Sequence, residues 1–401
     1  METSIRYNIY DKLIILIIAA HVFGHILSPF TAGRIIAIFI APFLFIRFYG
    51  YRIGIPRYAQ IFLWVWFLGG AFSLLYSYDP VNGAKFLVYN ICSIINFIAI
   101  FAFSQKAKKP MKSITLGWIL LFILTIPVAL NEFINGVHLP QDYIEDKVFL
   151  SDGSGYTVAR QYASVTFGNL NNYVLVCCFC LPFALLATHL FIKRIVLTWG
   201  IVLVLLSFIA INASRGGFLC AALAVFVYLC VSVKKKKIKV KTIIVAFTLL
   251  SIPILYYFQQ IFLQLTIRLT EHSLFEDYAR LLIYGNVLEV VADTNGFGAG
   301  IGGLTSALLS ISTTDINAAH NFFLEFLGEY GVIPFILFSY MIFKIARTLI
   351  KKGSTDQRMC GFLFAVLIIP LSVINSVYIP ETIVWVFISS FLAISCVKAC
   401  Q

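Results

Sequence analysis

Charge is what this chain has least of. Charged residues fill 12% of its 401 positions, about half the roughly 25% of an average soluble domain. Hydrophobic residues fill 60%, and the mean hydropathy is +0.92. A soluble fold is excluded, because most of this surface must face lipid or other apolar helices. Signatures of several chemistries are missing too. No Asp-x-Asp pair, the usual metal clamp of nucleotide-sugar transferases, occurs anywhere. The glycine run Gly296–Gly303 lacks the Lys-Ser/Thr of a phosphate-binding loop and follows no predicted strand, so it reads as a flexible hinge or a loop against the membrane surface. His21 and His25 stand four apart, but Val22-Phe23-Gly24 between them lacks the glutamate of a zinc-protease helix. They read as polar packing between helices, and no metal site is expected. The nine cysteines fall in or at the ends of apolar runs and read as small packing residues.

What the chain does have is long apolar runs. Twelve can cross a bilayer core of about 30 Å at about 1.5 Å per residue: 13–29, 33–48, 60–77, 86–104, 114–131, 172–191, 195–212, 216–233, 242–260, 320–343, 359–376 and 380–397. In lipid the backbone must satisfy its own hydrogen bonds, so the spans are helices. With the N-terminus cytoplasmic, strict alternation puts twenty-three of the thirty Lys and Arg on the inner side, the expected bias. The net charge of +12 is then a topology signal, and the run Lys234–Lys237 calls for no nucleic acid. The expected fold is an all-α polytopic membrane protein of about twelve transmembrane helices with both termini cytoplasmic. Spans one to five fill 1–131, an outer loop 132–171, spans six to nine 172–260, a large outer loop with short helices 261–319, and spans ten to twelve 320–401. No cleavable signal peptide is expected.

Candidate chemistry collects on the outer side. The first outer loop ends in Arg160 and runs through Phe167-Gly-Asn-Leu-Asn-Asn172. It reads as a solvated loop, or as a lid whose amides and aromatics suit sugar hydroxyls and ring faces. Spans seven and eight meet at the tight turn Asn212-Ala-Ser-Arg-Gly-Gly217. Arg215 there is either an interfacial anchor snorkelling to headgroups or a fixed guanidinium that can grip a phosphate bidentately. In the large loop, helical spacing over 277–291 sets Asp277, Arg280 and Tyr284 on one face, so Arg280 is a salt-bridge partner or a second phosphate ligand. His320 heads span ten, as a cap or as a functional group. Glu325 and Glu329 follow on the same span, either as buried polar partners or as the intramembrane charge a transporter needs. A basic side chain and a histidine over a membrane surface suggest an anionic, lipid-borne substrate.

These pieces resemble the O-antigen ligase/polymerase family, bacterial inner-membrane glycosyltransferases that join lipid-diphosphate-linked oligosaccharides. The resemblance rests on His320-Asn321-x9-Gly331, the Ser-Arg-Gly turn at Arg215, the Ala-Arg-x3-Tyr-Gly stretch at Arg280 with Tyr284, and the segment from Arg160 to Asn172. It implies His320 as the catalytic base, with Arg215 and Arg280 binding the diphosphate. Arg160, Asn172, Tyr284 and Asn321 would contact substrate. It implies no cofactor and no metal. The partners would be undecaprenyl-diphosphate-linked oligosaccharides, membrane lipid and, as a further candidate, a chain-length regulator protein. The expected activity is O-antigen or surface-polysaccharide polymerase on the periplasmic face of the inner membrane. The alternatives are a ligase that transfers the glycan to lipid A–core, and, from another class, a flippase of the same lipids.

Overall fold

The computed structural model describes residues 7–26, 29–48, 53–138, 145–149, 155–159, 162–191, 195–212, 214–234, 273–311, 319–372 and 379–397. Fourteen helices and one hairpin are found among them. In chain order they are α1 Ile9–Ala19, α2 Ala32–Phe48, α3 Arg57–Ser73, α4 Pro80–Lys106, α5 Pro110–Asn135, β1 Glu145–Phe149, β2 Gly155–Ala159, α6 Leu170–Leu190, α7 Ile195–Ile211 and α8 Arg215–Lys234. Then follow α9 Ser273–Asp293, α10 Leu304–Ile311, α11 Phe322–Tyr330, α12 Val332–Lys352, α13 Thr355–Leu367 and α14 Thr382–Cys396. Short 3-10 turns cover Ala20–Phe23 and Ile369–Ser372.

Helices therefore occupy eleven of the twelve predicted runs, and the twelfth, 242–260, lies outside the described residues. Four of them, α4, α5, α6 and α12, are long and apolar enough to cross a membrane by length and composition alone. Large side chains such as Phe39, Phe45, Ile46, Leu68, Leu219 and Phe226 point outward, a surface suited to lipid.

Two helices form the centre. α6 and α14 are apolar on every side, as a helix must be when neighbours surround it, and nearly all their side chains are buried. Cys177, Cys178 and Cys180 of α6 are free, buried packing residues as expected. Around this pair, Trp66 stacks on Trp385 at 4.0 Å, Phe179 on Phe387 at 4.0 Å and Trp118 on Phe183 at 5.3 Å. Sparse hydrogen bonds fix the rotation of α14: Trp118 Nε1 donates to Ser390 Oγ at 3.1 Å, and Ser389 Oγ to the Phe97 carbonyl at 2.6 Å.

The helix ends sort into two rims. One carries Arg47, Lys106, Lys108, Lys109, Lys351 and Lys352, and its polar contacts are caps. Buried Asp11 accepts Lys109 N–H at 2.9 Å and Ser113 Oγ at 2.8 Å, placing a carboxylate where the α5 dipole favours it. Gln357 donates to the last carbonyls of α14, Ile394 and Val397. The opposite rim holds α9 to α11, the start of α6 and the α7–α8 turn.

Three sequence expectations change. The first outer loop contains the β1–β2 hairpin, paired from Glu145↔Ala159 to Phe149↔Gly155. The glycine run is not a hinge among these contacts. Ala299 N–H bonds the Gly328 carbonyl at 2.7 Å, Ile301 N–H the Ser73 hydroxyl at 3.0 Å, and Asn82 Nδ2 the Gly302 carbonyl at 3.0 Å. It is clamped between the α3–α4 turn and α11. Third, the predicted helix 320–343 is two helices, because Gly331 takes φ +78° between them, a conformation costly for any residue with a Cβ.

Candidate functional site

The break at Gly331 gives α11 two faces. Phe322, Phe326 and Tyr330, spaced by four, pack into the main core against Trp66, Phe338 and Trp385. The other side enters a second, smaller core made of Ile283, Val287 and Val290 from α9, Leu304, Ala307 and Leu308 from α10, and Ala299 and Ala319, with Leu324 against it. Asn321 is the N-cap of α11, its Oδ1 accepting Phe323 N–H at 3.0 Å and Leu324 N–H at 3.2 Å. That oxygen satisfies helix-start donors, so Asn321 fixes the start of the helix next to His320.

His320 is half-buried and takes φ +49°. Few residues other than glycine adopt this region, and in a fixed site it marks strain tolerated by the surroundings. Val287 of α9 faces Gly328 of α11, where a Cβ would stand 3.1 Å from its side chain. The C-terminal ends of both helices meet as well, through Val332 N–H to the Gly296 carbonyl at 2.9 Å. α9 and α11 thus run in the same direction. Arg280 lies seven residues before Val287 on α9 and His320 eight before Gly328, just ahead of α11, so both precede the contact on their own segments, and Ile283 and Ala319 belong to one core. Tyr284, one turn further along α9, is half-buried. The expected helix over 277–291 is present, although the side chains of 273–280, Arg280 included, lie outside the described ones.

Arg215 is the first residue of α8, and its side chain too lies outside the described ones. The turn Ile369–Ser372 packs against both α8 and α11 and so stands between the arginine helix and the histidine helix. Arg160 lies outside the described residues. Asn172 donates from Nδ2 to the Phe167 carbonyl at 2.8 Å, while its Oδ1 is buried without a hydrogen-bond partner.

Residues 200–339 match a family model described as O-antigen ligase. That stretch begins in α7, ends in α12 and contains Arg215, Arg280 and His320. This part of the chain is similar to the O-antigen ligase family. No curated protein matches the chain. The match fits the helical, apolar architecture and indicates a function of the O-antigen ligase/polymerase type. The flippase reading finds no support in the match, and Glu325 and Glu329 are buried on the short α11.

Sequence reasoning missed a second polar cluster at this rim. Arg34 bonds Glu381 at 3.0 Å and lies 3.5 Å over the Tyr89 ring, and His25 stands 3.5 Å from the other Glu381 oxygen. His21 donates from Nδ1 to the Ile17 carbonyl at 2.8 Å, which leaves Nε2 to accept from the Thr382 hydroxyl at 3.1 Å. The expected polar packing of the two histidines is thus found, against α14. The available signal was two opposite charges at span ends on the same predicted side, but 347 residues separate them. Glu132 was missed for another reason: α5 extends to Asn135 and carries this acid inside rather than into a solvated loop.

Proposed function

We propose that the chain polymerises O-antigen or a related surface polysaccharide, moving a growing undecaprenyl-diphosphate-linked glycan onto a lipid-linked repeat unit. What supports this is His320, half-buried with φ +49° just ahead of α11, together with Arg280 on the adjoining, parallel α9. In the proposed step the acceptor hydroxyl gives its proton to the His320 imidazole, whose ordinary pKa suits a base near neutrality. The freed oxygen bonds the anomeric carbon of the donor sugar as the bond to the diphosphate breaks. Negative charge builds on the leaving diphosphate, and the guanidiniums of Arg215 and Arg280 are the preorganised donors for it. No metal enters this scheme. Arg160, Asn172 and Tyr284 line the approach of the glycan. The site faces the periplasm, the lysine-rich rim faces the cytoplasm, and a chain-length regulator is a candidate partner.

A ligase acting on lipid A–core is the second reading, favoured by the description of the matching family. One experiment serves both. Arg215→Lys and Arg280→Lys keep the charge but lose the planar two-oxygen grip, so each should insert normally and make little polymer. The surface-polysaccharide profile of a deletion strain separates the readings. A single repeat left on lipid A–core means polymerase; bare lipid A–core with lipid-linked polymer accumulating means ligase. Near-normal polymer from both lysine variants refutes the diphosphate role.

A further inference from the structure

Residues 162–168 carry no group given a role above, yet they form a heavily anchored loop at the site rim. Ala163 N–H donates to Asn212 Oδ1 at 2.8 Å. Ser164 and Val165 N–H both donate to one oxygen of Glu132, at 2.7 and 2.8 Å. Thr166 accepts His25 N–H at 2.6 Å, and its hydroxyl donates to the Val22 carbonyl. Val165 takes φ +52°, a genuine outlier for a β-branched residue, and such strain persists only where neighbours over-determine it. The two side chains that do so are themselves buried: Glu132 is 1% exposed and Asn212 0%. Neither can reach a substrate. Asn212, however, lies three residues before Arg215, in the turn that starts α8.

We propose that Glu132 and Asn212 are positioning residues: through Ala163–Val165 they brace the α7–α8 turn and so fix where Arg215 reaches. The inference rests on the role of Arg215 given above. Successive backbone N–H groups converging on an oxygen form an anion-type nest. Here one oxygen takes both, with His138 Nδ1 beside it at 3.8 Å and the His138 ring stacked on Tyr162, so what the brace needs of Glu132 first is an acceptor at the right distance. An amide of equal length supplies that acceptor. A carboxylate shorter by one methylene keeps the charge and loses the reach. Displacing a positioned group by about 1 Å can cost about 100-fold in rate.

The test uses the full-length protein in nanodiscs, with lipid-linked oligosaccharide extracted from the producing strain as substrate, and measures kcat and KM separately. Glu132→Gln should keep most of kcat, whereas Glu132→Asp and Asn212→Ala should each lower kcat about 10–100-fold with KM changing far less. In an Arg215→Lys background, Glu132→Asp and Asn212→Ala should add less than about twofold, because the placement they disturb no longer serves a fork. Equal fold-losses in both backgrounds overturn the brace, as does Glu132→Gln being as damaging as Glu132→Asp, which would make the charge beside His138, not the reach, what Glu132 supplies. If Arg215→Lys alone is fully active, the diphosphate reading fails and the brace falls with it. Glu132→Gln and Glu132→Asp are both conservative, so their ranking remains readable even if Asn212→Ala does not accumulate.

Discussion

His320 offers a test in which stability and activity move in opposite directions. Its φ of +49° lies in the left-handed region, where a Cβ costs about 1–2 kcal/mol that glycine does not pay. At an ordinary position glycine is less stable than alanine by roughly 0.5–1 kcal/mol through its unfolded-state freedom. At His320 the balance reverses. His320→Ala and His320→Gly remove the same imidazole and whatever it contacts, so their difference isolates the backbone. His320→Gly should be more stable than His320→Ala by about 1 kcal/mol, an upward shift of order 1–2 °C in melting midpoint for a chain of this size. Both should lose turnover by about 10²–10⁴-fold, and donor binding should survive in both, since the arginines hold the diphosphate. His320→Gln separates orientation from base catalysis, because its amide hydrogen-bonds but takes no proton near neutrality. Thermal unfolding in detergent and turnover in a purified assay read the two quantities. A glycine variant less stable than the alanine one would refute the strain argument, and near-normal turnover from His320→Gln would refute the base.

The Arg34–Glu381 pair is almost fully buried, with 8% and 11% side-chain exposure. Arg34→Met should therefore cost about 2–3 kcal/mol, below the roughly 3–5 of a fully uncompensated buried acid because His25 remains 3.5 Å from Glu381, while Arg34→Met with Glu381→Leu should recover much of the loss; unfolding midpoints of the three proteins decide, and a double variant no better than the single contradicts the pairing. Gly300 has φ +81°, and a Cβ there would stand 2.7 Å from Ser77 Cα and 2.8 Å from the Ser73 carbonyl oxygen. Gly300→Ala should destabilise by about 2–5 kcal/mol, combining the left-handed cost with a backbone clash, and a neutral effect on the melting midpoint would show the loop to be pliable. Reporter fusions at Asp152 and Thr294 should give periplasmic signals and those at Lys236 and Lys351 cytoplasmic ones; a cytoplasmic signal at Thr294 would overturn the placement of the site.

Local chemistry decided what the sequence could show by itself. Apolar runs of spanning length, scarce charge and basic residues gathered at alternate ends already determine a bundle of membrane helices, because the cost of an unsatisfied backbone or a charge in lipid is paid residue by residue. Motif order along the chain likewise carried the family, since Arg215, Arg280 and His320 all fall within the matching 200–339. Tertiary structure decided everything that depends on residues far apart meeting. Hydropathy cannot see Gly331 ending one helix and starting another, for the flanking residues are equally apolar and only the +78° φ forced by the packed glycine loop separates them. Nor can it see that Glu132 points inward to bind Ser164 and Val165, or that Arg34 finds Glu381 from the far end of the chain. A buried polar group is stable only beside its partner, and the fold alone supplies the partner.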